Sequence, residues 1–262
     1  MNTSAAPRLS TDRPGSWSTR LWAEITPTYD AIVGHPFLTG LTDGSLDPAA
    51  FAQYVAQDVH YLRAYARALA VVAAKAPTLA DTAMFTRHAA EIFDVELELH
   101  DELLPALGLS AEAVDALPAT PTTQAYTSYL LATAYDGSFA DGLAAVLPCY
   151  WIYAEVGAEL LSRGSTEPRY QRWIDSYGGE EFAATVGEVL AMADDRPELL
   201  EPITEAPVYL KVEAAYAAAA EGALHLEDIL ARRMRISIEY PHRGVDCARE
   251  VAEVVAPVVD WT

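Results

Sequence analysis

Tyr54, Asp58, Tyr61 and Tyr65 follow one another at spacings of four, three and four residues, so on a helix they share one face. A carboxylate set in a stripe of phenols has two readings. Either the face is core and the hydroxyls satisfy the acid, or it walls a pocket in which the carboxylate hydrogen-bonds a flat, nitrogen-bearing ring stacked on tyrosine. A second cluster, Pro148-Cys149-Tyr150-Trp151-Ile152-Tyr153, lies in an otherwise aliphatic helix. Proline there is expected to disturb the backbone and leave unpaired N–H groups beside the thiol, a setting that favours thiolate. The alternative is a buried cysteine acting as a small hydrophobe. Tyr153, one turn on, shares the face of Cys149. Tyr126 and Tyr129, with Trp173 and Tyr177, add aromatic groups from separate helices.

Other polar groups point less clearly to chemistry. Glu96 and His100, and Glu221 and His225, stand at i, i+4, whereas di-iron bundles use Glu-x-x-His at i, i+3 on two helices. These pairs are read as helix-surface or interhelix contacts, and no metal is expected. The Arg232-Arg233-Arg235 group follows a helix end, where cations complement the dipole. Cys149 and Cys247 are the two cysteines, too few and too far apart for a disulfide framework or a cysteine-rich zinc site. Cys247 is read as structural.

The elements that must position these residues are helices. Apolar residues recur at three and four, and alternating Val/Ile/Thr runs are nearly absent, so an all-α fold is expected. Asp47-Pro48 and Thr120-Pro121 each put a capping side chain before a proline at the first helical position. Further helices are predicted across Pro27 to Ile32 with its flank from Ser18, Leu79 to Leu104, Ser110 to Leu117, Phe139 to Ser162, Pro168 to Tyr177 and Glu180 to Ala193. The pattern breaks near Asp194-Asp195-Arg196-Pro197. Beyond it, Val208 to Ala220 and Leu224 to Arg233 are predicted helical, Ile236 to Tyr240 extended, and Asp246 to Val255 a capped helix.

Composition bounds the function. Of 262 residues, 52% are hydrophobic, enough for a real core, and the net charge of −21 repels phosphate backbones, so a nucleic-acid partner is not expected. The N-terminal stretch has no apolar signal region and no run reaches membrane-spanning length, which predicts a soluble cytoplasmic protein with no membrane partner.

Phe51-Ala52-Gln53-Tyr54-Val55-Ala56-Gln57-Asp58 with Tyr61-Leu62, then Ala125-Tyr126, Leu147-Pro148-Cys149-Tyr150-Trp151-Ile152-Tyr153 with Glu155 and Gly157, and Trp173-Ile174 with Tyr177 and Phe182, together resemble the TenA, or thiaminase II, family over about residues 18 to 195. The resemblance implies a heme-oxygenase-like helical bundle without heme or other cofactor, assembled as a homotetramer. It implies hydrolysis of aminopyrimidines from damaged thiamin, or of thiamin itself, to hydroxymethylpyrimidine. Cys149 would be the nucleophile and Asp58 would polarise the ring nitrogen and amino group. Tyr61, Tyr126, Tyr153 and Tyr177 would line the substrate pocket.

The C-terminus departs from that pattern. The family's late Glu-x-x-Phe-Trp is missing, and at its usual separation from the cysteine the sequence reads Ala219. Instead Ala206-Pro207-Val208-Tyr209-Leu210, Glu221 to Asp228, Ala231 to Glu239 and Arg243 to Asp246 resemble the C-terminal helical region of FAD-dependent glycerol-3-phosphate dehydrogenases. No GxGxxG follows a strand, so a dehydrogenase cofactor platform is not expected. The domain expectation is therefore a disordered tail over 1–17, a TenA-like bundle over 18–195 and a dehydrogenase-like segment over 196–262. Glu213 or Glu221 would have to replace the lost acid; without it, the alternative is a pyrimidine-binding or oligomeric helical module with no catalysis.

Overall fold

The structure is a computed structural model that describes residues 9, 16–93, 103–195, 202–219, 223 and 225–259. It divides into two compact units, 1–192 and 193–262.

In the first unit α1 (Trp17–Val33) starts where Ser16 accepts the Thr19 N–H, and α2 (Pro36–Asp43) where the His35 ring accepts that of Phe37. The long α3 (Pro48–Lys75) and α6 (Pro121–Asp136) begin at Asp47 and Thr120, whose side chains cap the helices ahead of a proline at the first position. Thr78 and Ser110 cap α4 (Leu79–Glu91) and α5 (Ala111–Ala116). Then come α7 (Phe139–Arg163), α8 (Pro168–Gly178) and α9 (Glu180–Asp195).

Two apolar faces hold this bundle. α3 buries Phe51, Val55, Val59, Leu62, Leu69 and Val72, and α7 buries Leu143, Val146, Trp151 and Leu160. α3 packs against α4, α6 and α7, while α7 packs also against α6 and α8. Trp22 of α1 meets Trp151 with ring centroids 5.1 Å apart. Trp151 Nε1 donates to Glu155 at 3.2 Å, so the buried indole and the buried acid satisfy each other one turn apart on α7.

α7 enters through a reciprocal cap. Asp141 N donates to Ser138 Oγ at 3.2 Å, and Asp141 Oδ2 accepts from Ser138 N at 2.8 Å and from its hydroxyl at 2.7 Å. Replacing Ser138 by Ala is expected to cost about 1 kcal/mol. A thermal melt should then fall by roughly 2–4 °C; an unchanged midpoint would mean that this cap contributes nothing.

Several expectations are corrected here. α7 runs through Pro148 as one helix. Proline takes away the donor that would reach the Ala144 carbonyl and creates no unpaired N–H beside Cys149. α2 was not anticipated. Of the expected helix Leu79 to Leu104, α4 ends at Glu91, residues 94–102 lie outside the described residues, and residues 103–106 are helical.

The second unit has its own core. β1 (Pro202–Ile203) and β2 (Ala206–Leu210) pair antiparallel, and α10 (Lys211–Ala219) follows. A π-helical turn spans Asp228–Arg233, and α11 spans Ile236–Glu239. A 3-10 segment over Pro241–Cys247 then leads into α12 (Ala248–Val255). Ile203, Ala214, Ile229, Ile236, Cys247 and Val251 are buried together. The predicted helix from Val208 thus begins at Lys211, after a strand. Ile236 to Tyr240 is a helical turn and not extended: Tyr240 N donates to Ile236 O at 3.0 Å. Asp246 does not cap α12, because the helix continues from the 3-10 turn with Cys247 before its first residue and no side-chain cap. Cys247 is buried, its Sγ donating to the Gly244 carbonyl at 3.1 Å. Among the described residues no helix is long and apolar enough to cross a membrane.

Candidate active site

A cavity of about 570 Å³ opens within the first unit. α3 contributes Tyr61 and Tyr65, one turn apart; α4 contributes His88 and Glu91; α7 contributes Cys149, Tyr150 and Tyr153. α8 and α9 close the wall with Arg172, Asp175, Tyr177, Glu181 and Phe182. The spacing read from the sequence explains the assembly: residues four apart on α3 and on α7 stack along one helix face.

The six residues singled out beforehand divide as follows. Cys149, Tyr61, Tyr153 and Tyr177 line the cavity. Tyr126 reaches the thiol from α6, with its Oη 3.0 Å from Cys149 Sγ. Asp58 is buried at 7% exposure one turn before Tyr61, but it is not among the lining residues. Glu213 lies on α10 of the second unit, where its charge helps push the Tyr209 phenol upward, after burial and the Glu239 carboxylate. Glu221, Glu96 and His100 lie outside the described residues. Among the described residues no group of three His, Cys, Asp or Glu could hold a metal ion.

Aromatic rings define the shape of the cavity. Tyr61 lies between two other phenols: Tyr126, centroids 5.6 Å apart and 3° from parallel, and Tyr65, 5.5 Å apart and 19° from parallel. Tyr177 packs on Tyr153, Trp173 and Phe182 at 5.0, 4.9 and 5.6 Å. Such walls favour a flat ring at low conformational cost. The Tyr61 hydroxyl is buried with no hydrogen-bond partner among the described residues, so a bound polar group would satisfy it. Burial, with the neighbouring thiol second, pushes the Tyr61 and Tyr126 phenols upward, which keeps both protonated and able to donate.

Sequence reasoning gave no role to His88, Tyr150, Glu91 or Glu181. Tyr150 sat inside a recognised motif, but His88 had no flanking signal: its partner, Tyr150, is 62 positions away on another helix.

The phenol at Cys149 is open to a chemical test. A thiolate accepts a charge-assisted hydrogen bond worth about 1.5–3 kcal/mol. Tyr126→Phe should therefore slow alkylation of Cys149 by iodoacetamide at neutral pH by about tenfold or more. Equal rates for the two proteins would show that the phenol does not support the thiolate.

The mostly helical bundle has a heme-oxygenase-like fold, with a thiol set in an aromatic cavity between its helices. Residues 22–205 match the TENA/THI-4/PQQC family model, and the chain belongs to that family. It is similar to the aminopyrimidine aminohydrolase of Bacillus subtilis, with 40% identity over 171 residues, 65% of this chain and 71% of that protein. A solved structure, a TenA homologue protein from P. horikoshii OT3, superposes with a TM-score of 0.65 at 32% identity, covering 69% of this chain and 85% of that one. The C-terminal region resembles a different protein, glycerol-3-phosphate dehydrogenase 2 of Mycobacterium tuberculosis. There the identity is 74% over 94 residues, 36% of this chain but 15% of that protein. The chain thus spans about 15% of the length of the dehydrogenases it matches.

Proposed function

We propose that this protein hydrolyses aminopyrimidines formed by thiamin breakdown, and acts on thiamin as a further substrate, using Cys149 as nucleophile. The observation that carries this reading is the Cys149 thiol held by the Tyr126 hydroxyl at 3.0 Å in a cavity walled by tyrosines. The 40% identity to an aminopyrimidine aminohydrolase supports it.

The chemistry is covalent catalysis. The ring lodges among Tyr61, Tyr153 and Tyr177, with the Tyr61 hydroxyl bonding one of its polar groups, and the Cys149 thiolate adds to an electron-poor ring carbon. Asp58 is the one acid of α3 and shares a helix face with Tyr61 and Tyr65 but does not line the cavity; its charge polarises the ring nitrogen and amino group without direct contact. The electron pair gained by the ring expels the amine from the exocyclic carbon, and the amine takes a proton from water as it leaves as ammonia. Water then adds to that carbon and loses a proton, the thiolate departs, and the hydroxymethyl product remains. No metal or cofactor is needed. On the same reading the protein is cytoplasmic and assembles as a homotetramer.

The family's late glutamate is absent, and Glu91, Asp175 and Glu181 are the carboxylates on the cavity wall. Lost general acid catalysis costs about 10²–10⁴-fold in rate, so turnover slower than an intact family member is expected. The test is ammonia release from 4-amino-5-aminomethyl-2-methylpyrimidine by the full chain, with thiamin run alongside. Release with a hydroxymethylpyrimidine product supports the reading. Ligand binding without release would leave a pyrimidine-binding module in its place.

A further inference from the structure

α6 carries Tyr126 to the thiol, yet the first half of that helix is weakly rooted in the bundle. Each of residues 121–129 is exposed or half-buried, and the buried residues of the helix, Leu130 and Ala134, come only in its second half. Tyr126 itself stacks on Tyr61, and its Oη stands 3.0 Å from Cys149 Sγ. A further tie comes from α3, at the point where the chain enters α6. Gln57 Nε2 donates to the Pro118 carbonyl at 3.2 Å, and Gln57 Oε1 accepts from Thr120 N at 2.8 Å.

One planar amide thus pairs with the carbonyl and the N–H on either side of Ala119, as a neighbouring strand would, and fixes two peptide planes at once. Thr120 is also the cap of α6, its Oγ1 accepting from Thr123 N at 3.3 Å. Gripping the cap sets where the helix starts and how it is aimed. Arg63 holds the same approach through Asp115 at 2.7 Å, but that pair is half exposed and screened by solvent. With Leu130 as the pivot of a stiff helix, a cap freed by roughly 2 Å carries Tyr126 about 0.8 Å, the ratio of four residues to ten along the axis. That motion is enough to open the contact with the thiol. The far end of α6 is held separately: Lys75 of α3 donates to the carbonyls of Tyr135 and Gly137, beside the buried Leu130 and Ala134.

We propose that Gln57 is the positioning residue of the nucleophile: by clamping the entry to α6 it sets the Tyr126–Cys149 contact, and with it the readiness of the thiol to ionise. Resting on the aminopyrimidine reading, this makes Gln57 a determinant of turnover although it does not line the cavity.

The test follows alkylation of Cys149 in the full chain by iodoacetamide from about pH 6 to 10, with the modified peptide read by mass spectrometry. The pH midpoint reports ionisation and the plateau rate reports access, so loosening alone leaves the midpoint where it was. Gln57→Leu keeps the size of the side chain and loses both bonds. It should raise the midpoint by about 0.5 unit or more, equivalent to roughly threefold slower reaction at neutral pH, because a thiolate without its donor is harder to form. In a Tyr126→Phe background the same substitution should add nothing, since the contact it acts through is gone; this also separates the clamp from the adjacent Asp58. Lys75→Met should lower the melt and leave the midpoint alone. Should Gln57→Leu fail to fold, Gln57→Met carries the same measurement. An unmoved midpoint in the Gln57 variant, a further rise on top of Tyr126→Phe, or an equal rise from Lys75→Met overturns the assignment. Wild type that releases no ammonia while Gln57 and Tyr126 remain coupled would sink the hydrolase reading and keep the clamp; active wild type with an unmoved midpoint in the Gln57 variant would do the reverse.

Discussion

Cys149→Ala should abolish ammonia release, lowering kcat by about 10³-fold or more while dissociation constants for the pyrimidine product change little. The thiol is held at the aromatic wall by a hydrogen bond with Tyr126 at 3.0 Å, and as a thiolate it can only accept there. Removing the atom that forms the covalent bond removes the pathway. A 10³-fold loss corresponds to about 4 kcal/mol of transition-state stabilisation, well above the roughly 1 kcal/mol expected from trimming one buried sulfur to alanine. Cys149→Ser is the sharper variant, since a hydroxyl fits the space but is scarcely ionised near neutrality. Single-turnover assays on both variants, with product analysis, would decide. Activity within tenfold of wild type in either would eliminate the nucleophilic role and leave Cys149 as a wall residue.

The second large effect concerns a glycine outside the cavity. Gly157 on α7 crosses α8 so closely that a Cβ placed there would lie 2.4 Å from both the carbonyl carbon and oxygen of Tyr177 and 2.7 Å from Gly178 N. These are backbone atoms, so no side-chain rotation relieves the clash and α8 itself must move. Overpacking of this kind costs about 1–3 kcal/mol or more, and a melt should fall by roughly 2–12 °C. Because Tyr177 and Trp173 ride on α8, substrate KM should rise as well. Gly187→Ala is the matched control. Nothing lies within 4 Å of its Cβ, and helix propensity favours alanine, so that variant should be neutral or stabilised by about 0.5 kcal/mol. If Gly157→Ala melted like Gly187→Ala, the close crossing of α7 and α8 would be wrong.

Helix starts were legible where the signal is local. Asp47-Pro48 and Thr120-Pro121 cap α3 and α6 because a short acceptor side chain and a missing N–H act within one turn. α2 escaped because its cap is His35, a residue without strong N-cap preference. At Ile236 to Tyr240 the alternation of apolar and polar residues suggested a strand, and side-chain burial does alternate: Ile236 is fully buried and Ile238 is 66% exposed. Yet the backbone closes a helical turn, because Ile236 is held against Gly244 through a left-handed run, His242-Arg243-Gly244. That contact is tertiary and leaves no periodic trace.

The candidate site shows the same division. Cys149, Tyr153, Tyr61 and Tyr65 were legible because each pair lies on one helix face. Tyr126 was legible as an aromatic on a separate helix, and the structure supplies its contact with the thiol. The places of His88 and Glu91 on the cavity wall depend on which helix packs opposite them. Pro148 misled in the other direction, since a proline frees a carbonyl one turn back and not the amide groups beside it.

The separate core of the second unit has a consequence for how the chain loses its structure. Ile203, Ala214, Ile229 and Val251 are buried with one another in residues 193–262, whereas every residue on the cavity wall belongs to residues 1–192. Each unit thus holds the kind of buried core on which a cooperative transition rests. Loss of a buried residue in either core is therefore expected to show first in the unit that holds it.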